Sequence, residues 1–363
     1  MSSQLFQPYN LGPFAVKHRV VHAPTTRFKA DATHVPFLPL VNEYYSQRAR
    51  VPGTLLITES TIIAPKAAGY PMPGIWSQAQ FEAWREITDS VHAQGSFIFL
   101  QILAVGRVAT KTDDLELVGP SSIPMAPDAV DKPHPLSVPE IEEYIGLYAQ
   151  AAKNAIEAGF DGVEIHGNNG CLVDQFLQDV SNDRTDDYGG TVENRARFPL
   201  AVVKAVADAI GQERTAIRFS PWNTSGGMGM SDPIPTYSHI VSELKRLHPK
   251  LAYLHLIEPR IHSDSNVEAT AENATQSNTL LFELWGDRPL IVAGGLTRES
   301  AMKLADERKN VLVAFGRHFI ANPDLPLRLE KNLPLNPYDR STFYLVMQND
   351  SKGYTDYPFA EVA

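Results

Sequence analysis

Eight short runs rich in β-branched and aromatic residues recur along the chain, each separated from the next by a stretch long enough for a helix. They are HRVVHAP (18–24), GTLLITES (53–60), SFIFLQI (96–102), DGVEIH (161–166), TAIRFS (215–220), AYLHLI (252–257), PLIVAGG (289–295) and VLVAFGR (311–317). Nearly continuous apolar runs belong to strands buried on both faces, and strands that alternate with helices make a parallel sheet. In the stretch 139–159, Ile141, Ile145, Ala152 and Ile156 fall on about one helical face and Gly159 is placed to stop it. RFPLAVVKAVADAIG (197–211) repeats the pattern and also ends in glycine. Eight such units close a (β/α)8 TIM barrel. The rival, an open doubly wound sheet, needs a glycine-rich turn after its first strand, and TTRFKADATH, which follows that strand here, contains no glycine. The expectation is an α/β fold, a TIM barrel in a single domain spanning 1–363, with long substrate-shaping loops at 104–138 and 258–280.

Bulk properties narrow the function. Of 363 residues, 43% are hydrophobic and 20% charged, which supports a large buried core and argues against disorder. A net charge of −10 disfavours a nucleic-acid partner, which requires a basic face. No apolar run approaches the roughly 20 residues that cross a bilayer. The opening MSSQLFQPYNLGPF has neither a basic nor an apolar leader region, so a cytoplasmic location is expected. One cysteine rules out a disulfide framework and a cysteine-based zinc site, and no metal is expected.

In a TIM barrel the chemistry sits at the C-terminal ends of the strands. Those ends here carry Pro24, Thr25 and Thr26; Glu59 and Ser60; Gln101; His166 and Asn169; Arg218; Gly294 and Gly295; and Gly316 and Arg317. The collection has no paired acids for glycoside hydrolysis and no close metal-ligating set. Glycines after the seventh and eighth strands either form tight turns or offer backbone N–H groups to a phosphate, and Arg317 adds a charged fork suited to that anion. Thr26, Ser60, Gln101 and Arg218 are suited to hydrogen-bond a flat heterocycle across the mouth.

EIHGNNGCLVDQFL (164–177) admits three readings. His166 and Asn169 donate together to one oxygen, or Cys171 and His166 form a nucleophile pair, or the stretch is a polar connection. Strand-end placement and the flanking Gly167 and Gly170 favour the first.

VEIHGNNGCLVDQFLQDVSNDRTDDYGGTVENRARF resembles the signature of the Old Yellow Enzyme family, the FMN-dependent ene-reductases. HAPTTRF, LLITES, GYPMPGIWS, FLQI, IRFSP, VAFGRHFIANPDLP and GYTDYP follow in the family's order, so the likeness spans about 4–359. The wording is similar to the fungal secondary-metabolism branch, relatives of ergot-alkaloid pathway enzymes included. The resemblance implies a barrel holding FMN noncovalently, reduced by NADPH, acting on the C=C bond of an α,β-unsaturated aldehyde or ketone. It implies that Pro24, Thr25, Thr26, Ser60 and Gln101 touch the isoalloxazine or ribityl chain and that Arg218 lies beside the ring. Gly294, Gly295, Gly316 and Arg317 would hold the phosphate, and Phe343 and Tyr344 would pack by the flavin. His166 and Asn169 would bind the substrate oxygen, with Tyr70 on the substrate side.

Three positions depart from the family's pattern. Cys171 stands where a proton-donating tyrosine is common, which opens an alternative outcome: isomerisation or cyclisation without net reduction. Leu103 replaces a common tryptophan and implies room for a bulkier, polycyclic substrate. Ser60 stands where glycine is common.

Overall fold

The computed structural model describes residues 2–259, 261–262, 265–266 and 275–361. Its strands are β1 Val20–His22, β2 Leu55–Ile57, β3 Phe97–Leu103, β4 Gly162–Gly167, β5 Thr215–Phe219, β6 Tyr253–Ile257, β7 Leu290–Ala293 and β8 Val311–Phe315. Each pairs in parallel with the next, and β8 pairs with β1 through Ala314 opposite Val21, so the sheet closes. The helices after successive strands are α1 Leu40–Ala49, α2 Gln78–Ala93, α3 Val138–Glu157, α4 Val192–Ile210, α5 Ile234–Leu247, α6 Thr279–Trp285, α7 Arg298–Glu307 and α8 Leu325–Lys331. All eight apolar runs became barrel strands, and the TIM barrel stands.

Helix boundaries follow local chemistry. In α2 the Ser77 hydroxyl accepts the Gln80 N–H while the Gln80 side chain accepts the Ser77 N–H, a reciprocal cap. Glu140 does the corresponding job for α3, accepting the Ser137 N–H at 2.7 Å. Gly159 and Gly211, both at φ 92°, follow α3 and α4 as expected. Two details differ from the expectation. The buried stripe of α3 is Ile141, Tyr144, Tyr148, Ala151, Ala152 and Ala155, with Ile145 and Ile156 on its margin, because the two tyrosines supply the apolar bodies that an aliphatic count overlooks. And α4 begins at Val192, capped by Thr191, with Pro199 accommodated inside it.

Two apolar layers result. The outer one packs helices on the sheet around Trp84, Trp285 and Tyr148. The inner one fills the barrel with Val21, Leu55, Ile57, Phe99, Ala216, Tyr253, Ile291 and Leu312. An N-terminal hairpin, Tyr9–Leu11 against Phe14–Val16, closes the bottom, where the Phe14 ring meets Phe99 edge-on at 5.6 Å. Burying such a ring stabilises the fold by about 1.5–3 kcal/mol. The bottom is packed shut, and the mouth is left for chemistry.

Of the two long loops, 104–138 contains a small parallel pair, Val118–Gly119 with His134–Pro135. Much of 258–280 lies outside the described residues. Among the described residues no helix is long and apolar enough to cross a membrane.

Candidate active site

A cavity of about 390 Å³ opens at the C-terminal ends of the strands, a volume within the range of small-ligand pockets. Its wall contains Pro24, Thr25, Thr26, Ser60, Gln101, His166, Asn169, Arg218, Gly294, Gly295, Gly316, Arg317, Phe343 and Tyr344. Fourteen of the expected residues, scattered over more than three hundred positions, therefore meet on one surface. Three do not line it. Leu103 is 2% exposed and belongs to the outer core, so it does not widen the cavity by facing it. Tyr70 is half-buried and donates its hydroxyl to Val108 O at 2.6 Å. Cys171 is buried at the N-cap of a short helix, Leu172–Leu177.

Strand register explains the polar set. Arg218 on β5 lies opposite His166 on β4 and His255 on β6, while Glu164 on β4 lies opposite Gln101 on β3. Alternation along a strand sends Glu164 and His166 inward together. Glu164 accepts the Gln101 amide N–H at 2.7 Å and pairs with His255 Nδ1 at 2.8 Å, both partners being fully buried. Since a carboxylate only accepts, the Gln101 carbonyl must face the other way, and it accepts the Ser60 hydroxyl at 2.5 Å. Burial opposes the Glu164 charge, but His255, Arg218 and Gln101 outweigh it and its pKa is lowered. Burial lowers the pKa of His255, with Glu164 pulling the other way. Glu164 and His255, which hold this layer from beneath, were missed in the sequence. The signal was the two-residue spacing of Glu164 and His166 within an otherwise apolar strand.

His166 is 5% exposed. Burial, then the Arg218 charge, holds its pKa down to about 3 against the pull of Glu164, so the ring is neutral. Asn169 sits at φ 52°, a conformation asparagine tolerates, and its backbone N–H donates to Ser220 Oγ at 3.1 Å. Arg218 is 8% exposed and carries the cavity's buried positive charge.

At the far end, a Cβ on Gly294 would lie 2.9 Å from Glu258 Cβ and 3.1 Å from its backbone N, at φ 121°, so only glycine brings that backbone in. A Cβ on Gly316 would approach Thr25 Cγ2 at 3.3 Å. Arg317 donates to the Tyr338 hydroxyl at 3.4 Å. Tyr338, Leu296, Thr297 and His318 complete this end and were not expected from sequence. The alanines Ala23, Ala293 and Ala314, near the ends of β1, β7 and β8, are small floor residues that the strand endings could have announced.

The chemistry of Cys171 argues against a Cys171–His166 nucleophile pair. Burial, then Asp174, pushes the thiol well above its ordinary pKa, and a nucleophile must be a thiolate.

The NADH:flavin oxidoreductase / NADH oxidase family profile matches residues 4–336. The chain belongs to this family. It is 48% identical to an NADP-dependent oxidoreductase of Aspergillus flavus, covering 100% of this chain and 98% of that one. It is 47% identical to a chanoclavine-I aldehyde reductase of Penicillium roqueforti, covering 99% and 97%. The Old Yellow Enzyme of a Pichia species superposes with a TM-score of 0.89 at 36% identity, over 99% of this chain and 95% of that one. The protein is thus an FMN oxidoreductase that draws on a nicotinamide nucleotide, and the cavity fits the flavin. Thr25 Oγ1, His166 Nδ1 and Arg218 Nε are buried polar atoms with no protein partner at a mouth of the right chemistry. A heterocycle with acceptor atoms satisfies such groups, and the glycine-lined end with Arg317 suits a phosphate.

Proposed function

We propose that this protein reduces the C=C bond of an α,β-unsaturated aldehyde or ketone with NADPH, as a cytoplasmic enzyme of fungal natural-product metabolism. The observation that carries the reading is the meeting of His166, Asn169 and Arg218 on one wall of a cavity whose lining, among the described residues, contains no carboxylate. A site free of acids and lined by donors is built for negative charge that develops on a ligand. In this reading Pro24, Thr25, Thr26, Ser60, Gln101 and Arg218 hold the ring system, and Gly294, Gly295, Gly316 and Arg317 hold the phosphate. FMN, when bound, supplies hydride transfer to the substrate's β-carbon.

The protein's residues do the rest. His166 and Asn169 donate to the carbonyl oxygen, which polarises the conjugated system and stabilises the enolate as an oxyanion hole does. Because His166 is neutral, it donates a hydrogen bond without delivering a full proton to that oxygen. Arg218 places a fixed cation where charge accumulates, and the wall formed by Phe343 and Tyr344 limits water and sets approach geometry. Proton delivery to the α-carbon is assigned to solvent at the mouth. Cys171 is outside the cavity lining and its thiol is a weaker acid than usual.

Purified protein should be yellow, be bleached by NADPH under argon, and convert an enal to the saturated aldehyde with one NADPH oxidised per product. Turnover of the enal to an isomer with no NADPH consumed would replace this reading with the non-reductive one.

A further inference from the structure

The loop after β5 reaches over to Asn169 and holds it at two points. Asn223 in that loop is 2% exposed, and its Oδ1 accepts the Ser225 backbone N–H at 2.9 Å. A backbone N–H can only donate, so the Asn223 amide has one orientation open to it, with Nδ2 on the other side. That Nδ2 donates to Asn169 Oδ1. Asn169 is oriented in turn: with its carbonyl engaged, its NH2 is the end left for the cavity. The two loops are interlocked around this contact. A Cβ on Gly170 would come within 3.1 Å of Gly226 Cα and of Ser225 O, and Ser220 accepts the Asn169 backbone N–H.

We propose that Asn223 is a positioning residue that sets the polarity of the Asn169 amide, so that an N–H and not a C=O faces the substrate oxygen. The inference rests on the reading of His166 and Asn169 as the oxygen-binding pair. A primary amide turned by half a rotation fills the same space with its donor and acceptor exchanged. Packing alone therefore does not choose between the two orientations, and a backbone donor passed on through Asn223 does. The wrong orientation would set lone pairs against a carbonyl or enolate oxygen. Specificity for ligands whose oxygen is an acceptor thus originates at Ser225, in a residue that does not line the cavity.

The test uses FMN-loaded protein without NADPH and 4-hydroxybenzaldehyde at mildly alkaline pH, its phenolate oxygen standing in for the enolate. Kd is measured by calorimetry, and the flavin absorbance of each variant verifies the fold. Asn223→Asp keeps the shape and the acceptor for Ser225, but its second oxygen cannot donate, so Asn169 must turn its NH2 inward and show its carbonyl to the cavity. We expect Kd to rise about 30-fold or more for Asn223→Asp and about fivefold or less for Asn223→Ala. A packing role gives the reverse order, because alanine removes buried atoms that aspartate retains. Repulsion of the phenolate by the new charge itself is separated by repeating the replacement in an Asn169→Ala background, where the expected change is under about twofold. Equal losses for the two variants, or an aspartate effect undiminished without Asn169, would overturn the proposal. If Asn169→Ala leaves Kd unchanged, the oxygen-binding pair itself is wrong and the inference falls with it. A measurement on the unaltered chain guards against misfolding: the Asn169 side-chain NH2 signals in a nitrogen–proton spectrum should shift on adding the phenolate. No shift would equally overturn it.

Discussion

His166 illustrates how a barrel makes an ordinary side chain useful. In water an imidazole is half-charged near pH 6.5; here burial and the adjacent Arg218 keep it neutral down to about pH 3. Titration of His166 should therefore leave no inflection in kcat/KM between pH 5 and 8, and ring-nitrogen spectra at pH 5 should show a neutral tautomer. An imidazolium signal there would contradict the assignment. His166→Ala should lower kcat/KM about 100- to 1000-fold, the effect of removing one oxyanion donor, with FMN content unchanged. Cys171 gives the opposite expectation. Because its sulfur lies outside the cavity lining and is held protonated, Cys171→Ala should keep kcat within about twofold and leave the ratio of reduced to isomerised product unchanged. A swing in that ratio would return Cys171 to the proton path.

At the scale of elements, the site is completed by a segment far away in sequence. Phe343 and Tyr344 belong to a C-terminal stretch with little regular structure, and the loop after β1 ties it down. Arg27, 1% exposed, donates to Phe343 O at 3.0 Å, Thr342 O at 3.1 Å and Gly353 O at 2.7 Å, and Lys29 donates to Gln348 O at 2.7 Å. Arg27→Ala should destabilise the protein by about 2–4 kcal/mol, since three carbonyls lose a charged donor, and weaken FMN binding about tenfold. Arg27→Lys should not restore either property, because one ammonium cannot reproduce a rigid fork. Urea unfolding and flavin fluorescence quenching measure the two effects, and an unchanged FMN affinity would show that this C-terminal stretch does not shape the site. This dependence also marks the limit of what was legible beforehand. The barrel strands announced themselves because strands buried on both faces need unbroken apolar runs, and their polar ends named most of the cavity wall. Tyr338 and Asn223 carry no such period: one sits in an irregular segment, the other in a turn, and each is placed by long-range bonds. Leu103 and Cys171 were expected at the cavity because they stand where the family commonly has a tryptophan and a tyrosine, and a smaller side chain at such a position need not reach the cavity. Alternation alone would put Leu103 on the same face as Gln101, but it lies at the end of β3, where that strand pairs with Thr61–Ile62, and there it packs into the outer core.

Across the whole molecule, buried titratable groups make stability depend on pH in a definite sense. His18, His22 and His166 are lowered to about 4, 3 and 3 by burial, and geometry agrees for the first. His18 Nδ1 accepts the Val20 N–H, which a neutral ring allows, and His22 bridges Ile57 O and the Tyr44 hydroxyl. The unfolded chain protonates these rings below about pH 6.5 and the native one does not, so each removes stability as pH falls through that value. Glu59 and Asp174, raised by burial to about 7 and 6, act oppositely. The native state keeps protons that the unfolded state has released, so they remove stability as pH rises from about 4.5 to 7 and from about 3.8 to 6. Of these five groups, three histidines oppose one carboxyl between pH 6 and 6.5 and two between 4.5 and 6, and below 4.5 the Glu59 contribution ends; the lowered His248, His255 and His318 add to the histidine side and the raised His92 works against it. Each uncompensated group changes stability by about 1.4 kcal/mol per pH unit. Tm should therefore peak near pH 6.5–7 and fall as pH drops below it, as read by calorimetry at fixed ionic strength with FMN in excess. A Tm that stays level from pH 7 to 4.5 would mean that the native histidines take up protons, and the neutral His166 on which oxygen binding depends would be lost with them.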